Sequence, residues 1–87
     1  MKHDYEDITN SRINEVIDEY IHSEQDRIIL KRNLIDNWTY QQISDYLINL
    51  DMQNRTKGLF TNYGLSAKQV GRRILKKEKI VFSKIKE

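Results

Sequence analysis

Basic side chains recur at helical spacing near the C-terminal end of the sequence, in the stretch Tyr63–Lys77, YGLSAKQVGRRILKK. Residues 66–87 contain 8 Lys and Arg against 2 Asp and Glu, whereas residues 1–65 contain 7 Lys and Arg against 11 Asp and Glu. Such an uneven distribution predicts a basic face on an acidic scaffold, so the chemistry expected here is the binding of a polyanion. A solvated basic helix that binds nothing is the other interpretation of the charge alone.

One face of this predicted helix, opposite Val70 and Ile74, offers side chains that can bind a nucleic acid. Arg can bond a guanine edge through two hydrogen bonds, Lys reaches a guanine or a phosphate, and Gln pairs with adenine. Gly71 would let the backbone approach DNA closely, the alternative being simple tolerance of glycine at an exposed site. Gln69 is expected to be used in its own helix cap. The candidate DNA contacts are Ala67, Lys68, Gln69, Gly71, Arg72, Arg73, Lys76 and Lys79.

The elements that must position this face are predicted to be helices. The 87 residues include no Pro and only 3 Gly, which favours an all-α domain of four to five helices over a sheet with tight turns. A first helix is expected over about Asn10–Ile21, capped by Thr9 or Asn10, and a second over about Glu24–Ile35. The chain is predicted to form a single domain, 1–87, whose N-terminal helix lies within residues 1–22.

Two capping boxes mark the N-termini of two further helices. Thr39 is followed by Gln42, and Ser66 by Gln69, in the spacing that lets the hydroxyl and the amide side chain each cap a backbone N–H. A capped helix followed by a capped basic helix is typical of a helix-turn-helix, in which the second helix lies in the major groove.

The stretch Ser23–Tyr40 resembles the opening of the sigma-factor region-4-like helix-turn-helix proteins of phages and prophages of Gram-positive bacteria. In that family a Leu-Ile-Asp-Gly type of turn precedes Thr-Tyr-x-x-Ile/Leu-Ala, and residues 34–40 of this chain read LIDNWTY. Residues 63–70, YGLSAKQV, are similar to the family's Tyr-Gly-Leu-Ser-x-x-Gln-Val turn into the recognition helix. The resemblance covers about residues 23–85 and implies that Lys68, Gly71 and Arg72 face a promoter major groove.

The connection between the two capped helices departs from that family. Thr39 and Ser66 are 27 positions apart, where a short helix and a tight turn need about 11. About 16 residues, roughly 48–63, are therefore predicted to be an insertion. It either leaves the two helices in their usual geometry, with Arg55 and Lys57 as further phosphate contacts, or remodels the motif so that it no longer binds DNA.

The second alternative would use the apolar residues of the insertion as a surface for a protein partner. Leu59, Phe60 and Tyr63 lie within five positions, which is unfavourable in a free loop. We therefore expect them to pack against the helical body, for instance as one short helical turn, in the protein without a partner. Trp38, Tyr40 and Tyr46 are expected to be core residues and not a stacking platform for bases.

Enzyme chemistry is not indicated by any constellation in the sequence. His3 and His22 have no Cys or paired carboxylate at ligand spacing and are expected on the surface, so no metal and no cofactor is predicted. No Cys is present, which excludes disulfides and thiolate metal sites. No apolar run approaches the roughly 20 residues of a membrane span, and the polar N-terminus does not resemble a signal peptide. A cytoplasmic protein is expected.

These patterns predict a sequence-specific DNA-binding transcriptional regulator of the phage or prophage type, with the recognition helix Ser66–Ile85 in the major groove of double-stranded DNA. The alternative is a protein-interaction module on the same sigma-like scaffold, which binds RNA polymerase or another host protein as an inhibitor or adaptor. A weaker third hypothesis is the DNA-recognition module of a phage packaging protein. The sequence does not distinguish an activator from a repressor, or a monomer from a homodimer.

Overall fold

The computed structural model describes residues 2–86, and the side chains of residues 10–86. Its elements are α1 (Lys2–Tyr20), α2 (Glu24–Leu30), α3 (Tyr40–Thr56) and α4 (Ala67–Ile85), with a π-helical segment at Lys31–Ile35 that continues α2. No strand occurs in residues 2–86. The prediction of a small all-α fold is confirmed.

The last helix, α4, is the one against which α1, α2 and α3 all pack. Its apolar stripe is buried, as the spacing of Val70, Ile74 and Val81 predicts. The core consists of Ile13, Val16, Ile17, Ile21, Ile29, Leu30, Ile43, Leu47, Val70, Ile74 and Val81. Because three helices cover one side of α4, only its opposite side is left for a ligand.

The first helix begins earlier than its apolar stripe indicates. Ile13, Val16 and Ile17 are buried as expected, but α1 starts at Lys2 instead of about Asn10. The prediction that Thr9 or Asn10 caps the helix is therefore wrong. No Gly or Pro stands between Lys2 and the stripe, so nothing in the sequence stops the helix from extending beyond its buried part.

The second helical span ends where the sequence indicates. Ser23 caps α2 by accepting a hydrogen bond from the Asp26 N–H at 3.3 Å. The last turn widens into the π-helix, closed by the Asp36 N–H donating to the Lys31 carbonyl at 3.2 Å. Asn37 then adopts a φ of 61°, the left-handed conformation that asparagine tolerates, and the helix terminates.

The predicted packing role of Trp38 and Tyr46 is confirmed. Both are partly buried against the core, and their rings meet edge to face with centroids 5.5 Å apart. The Arg32 guanidinium lies over both rings, 4.6 Å from the centroid of Trp38 and 5.0 Å from that of Tyr46. This cluster joins the π-helical segment to α3.

Candidate nucleic-acid interface

Both capping boxes form as the sequence indicates. Thr39 and Gln42 cap α3 reciprocally, with bonds of 3.2 and 2.8 Å. At α4 the Ser66 hydroxyl accepts from the Gln69 N–H at 3.2 Å, and Gln69 Oε1 accepts from the Ser66 N–H at 2.9 Å. Gln69 is thus used in its own cap, which leaves only its Nε2 group for a ligand.

The first turn of α3 contacts the second turn of α4 at a glycine. A Cβ placed on Gly71 would lie 2.7 Å from Cε2 and 2.9 Å from Cδ2 of Tyr40, so only glycine fits beneath that ring without a shift. One turn along α3, the buried Ser44 hydroxyl donates to the Leu65 carbonyl at 2.6 Å. The expectation that Gly71 lies on the free face is wrong, because its missing side chain makes room for Tyr40 and the residue is buried.

The segment predicted to be an insertion is an extension of α3 followed by a loop that returns along it. The helix runs to Thr56, Gly58 takes a φ of +79° after its end, and residues 59–66 contain no helical turn. Gly58 thus terminates α3, and the short helical turn expected around Leu59–Tyr63 is absent. Because the loop brings Leu65 back to Ser44, the excursion leaves the first turns of the two helices packed together.

Asp51 holds the returning loop in place. Its Oδ1 accepts from the Thr61 hydroxyl at 2.7 Å and from the Tyr63 N–H at 2.9 Å, and its Oδ2 accepts from the Gly64 N–H at 2.8 Å. Burial disfavours the charged carboxylate, but these hydrogen bonds and the nearby charge of Arg55 outweigh burial and keep the pKa of Asp51 below its ordinary value.

The same loop is joined to α2 through Tyr63. The Tyr63 hydroxyl donates to Glu24 Oε2 at 2.9 Å, and its carbonyl accepts from Gln25 Nε2 at 2.8 Å. The hydrogen bond to Glu24, followed by burial, raises the pKa of Tyr63. The packing expected for Tyr63 is confirmed, whereas that expected for Leu59 and Phe60 is wrong: they are 54% and 87% exposed. They follow the end of α3 at Thr56 and belong to none of the helices in residues 2–86.

One of the cations predicted to contact DNA is directed into the fold. Arg73 Nη1 lies 2.9 Å from Asp26 Oδ1 and 3.0 Å from Gln25 Oε1, and the Asp26 side chain is only 5% exposed. Lys77 Nζ lies 4.0 Å from the other oxygen of Asp26. Arg73 therefore joins α4 to α2 and neutralises a buried carboxylate, so its guanidinium is already engaged within the fold, although its side chain is 41% exposed.

Four predicted contacts remain together on the exposed side of α4. Lys68, Arg72, Lys76 and Lys79 are all exposed and fall within an arc of roughly 80° at about 100° per residue. We call these four residues the basic stripe. None of them forms an ion pair within the part of the chain whose side chains are described. Lys68 in the first turn adds its charge to the positive end of the helix dipole, which strengthens the attraction for an anion there.

The other predicted positions do not join the basic stripe. Ala67 is half-buried at the start of α4. Arg55 and Lys57 are exposed at the C-terminal end of α3, which is about 25 Å long. The contact between α4 and α3 lies near the N-terminus of α3, at Tyr40. These two cations are therefore separated from the candidate interface on α4.

Two residues that the sequence analysis did not select lie at this interface. Leu75 is 57% exposed and stands two helical turns after Lys68, so it shares the face of the basic stripe. A helical projection of α4 would have identified it. The prediction that Tyr40 lies in the core is wrong: it is 39% exposed and borders the stripe through its contact with Gly71. No local signal places Tyr40 there, because the contact joins two helices.

Comparison with known proteins adds no assignment, since no protein-family model, curated protein or solved structure matches the chain. Among the side chains of residues 10–86, no group of three or more His, Cys, Asp or Glu could hold a metal ion. His22 is exposed, and the side chain of His3 lies outside the described residues. None of the helices in residues 2–86 has the length and apolar composition needed to cross a membrane.

Proposed function

We propose that the protein binds double-stranded DNA through the exposed side of α4 and acts as a sequence-specific transcriptional regulator. The observation that supports this most directly is the basic stripe, four cations on one side of a helix whose opposite side is buried. A surface cation that is already paired with a carboxylate has less charge to offer a ligand. These four cations have no carboxylate partner within residues 10–86. The resemblance to sigma region-4-like proteins points to the same ligand.

The shape of this surface suits the major groove. A groove about 12 Å wide admits one α-helix, and the stripe from Lys68 to Lys79 covers roughly 16 Å of helix. Lys68 and Arg72, in the first two turns, are the residues that read base edges, and Leu75 offers an apolar contact for a thymine methyl group. Lys76 and Lys79 bind phosphates and position the helix without reading sequence.

Binding to duplex DNA tests the proposal. The purified protein is titrated with a fluorescent random-sequence duplex between 50 and 200 mM salt, and bound sequences are then selected from a random pool. The two phosphate contacts of Lys76 and Lys79 predict that affinity falls about tenfold over this salt range, because each contact releases counterions. Arg12→Ala on α1 is the control and should leave affinity unchanged. Undetectable binding, or binding that salt does not weaken, would contradict the proposal.

The alternative function, a module that binds RNA polymerase or another host protein, is favoured by one observation. Leu59 and Phe60 are exposed at the apex of the returning loop, although the loop itself is held by Asp51 and Tyr63. Large exposed apolar side chains on an ordered loop are typical of a protein contact. Phe60→Ser should then abolish binding to purified RNA polymerase in a pull-down, while Arg72→Ala should preserve it; the DNA-binding proposal predicts the opposite sensitivity with duplex DNA.

A further inference from the structure

The outer side of α3 carries two exposed apolar residues between two opposite charges. Ile48 and Met52 are 47% and 59% exposed and lie one turn apart. Asp45 precedes them and Arg55 follows them, and both are exposed. At about 100° per residue the four fall within an arc of roughly 80°, so they form a single stripe along the helix. We call these four residues the α3 stripe.

Within residues 10–86, whose side chains the structure describes, the α3 stripe is left open. The returning loop covers the neighbouring side of the helix, where it bonds to Ser44, Asp51 and Asn54. It reaches the edge of Ile48 near Gly64 but leaves about half of that side chain exposed. Asp45 Oδ1 accepts a bond of 3.0 Å from Gln41 on the same helix, which leaves its second oxygen for another partner.

The order of the four residues is symmetric about position 50. When a second copy of α3 runs antiparallel along the stripe, Ile48 of one copy meets Met52 of the other, and Asp45 meets Arg55. The two-fold axis produces each contact twice, as in an isologous dimer. A parallel arrangement would instead set Asp45 against Asp45 and Arg55 against Arg55, and like charges disfavour it.

We propose that two copies of the protein associate through antiparallel contact of their α3 stripes. Charge complementarity selects a second copy as the occupant, because the stripe carries both the acidic and the basic group that its own reversed image requires. The surface involved is small, about three turns of one helix, so the dimer is weak, with a Kd of about 10–100 µM. The inference does not depend on DNA binding, because it concerns the opposite charges and apolar groups of α3 and not the face of α4.

Sedimentation equilibrium of the full chain without DNA, from about 5 to 500 µM at 50 mM salt, tests the proposal. Asp45→Arg sets Arg against Arg55 of the second copy, and Arg55→Asp sets Asp against Asp45, so each change should raise Kd about tenfold or more. The double variant Asp45→Arg/Arg55→Asp exchanges the charges and should restore Kd to within about threefold of the original. Glu19→Arg, the same charge change on the exposed surface of α1, is the matched control and should leave Kd unchanged.

Met52→Asp should give a monomer at every concentration, with the far-UV circular dichroism of the folded protein retained. A monomeric wild-type protein up to 500 µM would overturn the proposal. So would a double variant that associates as weakly as either single variant, because the antiparallel register would then be wrong. DNA binding of the same variants is measured separately, so that a failure of the dimer proposal is distinguished from a failure of DNA recognition.

Discussion

The ring of Tyr40 lies over Gly71, 2.7 Å from the point that a Cβ of residue 71 would occupy. This contact joins the first turn of α3 to the second turn of α4, and it stands beside the basic stripe. A glycine within a helix lowers helix stability by about 1 kcal/mol relative to alanine. The close approach of the Tyr40 ring is the structural reason for glycine at this position.

The effect of Gly71→Ala on the free energy of unfolding should depend on whether Tyr40 is present. In the wild-type protein, Gly71→Ala forces the ring to move, and the overpacking costs about 1–3 kcal/mol. The free energy of unfolding should therefore fall or stay unchanged, in spite of the gain in helix propensity. In a Tyr40→Ala background the obstacle is absent, so the same change should raise the free energy of unfolding by about 1 kcal/mol. Urea denaturation followed by circular dichroism measures all four proteins. Equal effects in the two backgrounds would contradict this account.

Two adjacent arginines should respond differently to truncation. Arg73→Ala removes the partner of the buried Asp26 carboxylate and should lower the free energy of unfolding by about 1–3 kcal/mol, the half-exposed guanidinium limiting the loss. Arg72→Ala should change it by less than about 0.5 kcal/mol, since Arg72 is exposed. Denaturation curves give both values. Equal stability losses for the two variants would mean that the ion pair with Asp26 does not stabilise the fold.

DNA recognition should be divided along α4. Arg72→Ala is expected to weaken binding to a selected sequence by about 1–3 kcal/mol and to relax preference at particular base pairs, with less loss on random DNA. Lys79→Ala should weaken every duplex alike and reduce the salt slope by about one unit. Fluorescence anisotropy on selected and random duplexes distinguishes them. If the two variants behave identically on both duplexes, α4 is a charged surface that does not read the base sequence.

Acid should loosen the returning loop through Asp51. The folded-state pKa of Asp51 lies below that of the unfolded chain, so on acidification the unfolded chain takes up the proton first. The stabilisation is therefore complete above the ordinary aspartate pKa and is lost as pH falls through the lower folded-state value. Asp51→Asn should cost about 1–3 kcal/mol at neutral pH and progressively less in acid. Urea denaturation from pH 7 to 3 measures the difference in the free energy of unfolding between the wild-type protein and Asp51→Asn. A difference that stays constant over this range would exclude the proposed role of the carboxylate.

Features that depend on neighbours three or four positions away could be predicted from the sequence. The two capping boxes form because a side chain at one cap position reaches the backbone of the residue three positions on. The left-handed φ angles of Asn37 and Gly58 follow from residue type. The buried stripe of α4 follows from helical periodicity, and so do Lys68, Arg72, Lys76 and Lys79 on its far side.

The placement of residues at the edges of that stripe depends on the tertiary structure. Periodicity locates the centre of a buried face, but its width depends on which helix packs there and how closely. Gly71 is buried because Tyr40 arrives from another helix, and Arg73 turns inward because Asp26 of α2 is there. The connection between the two capped helices was predicted from the sequence to be unusually long. Its form, a longer α3 and a loop held by one carboxylate, depends on hydrogen bonds from Asp51 to residues 10 to 13 positions away, which no local pattern encodes.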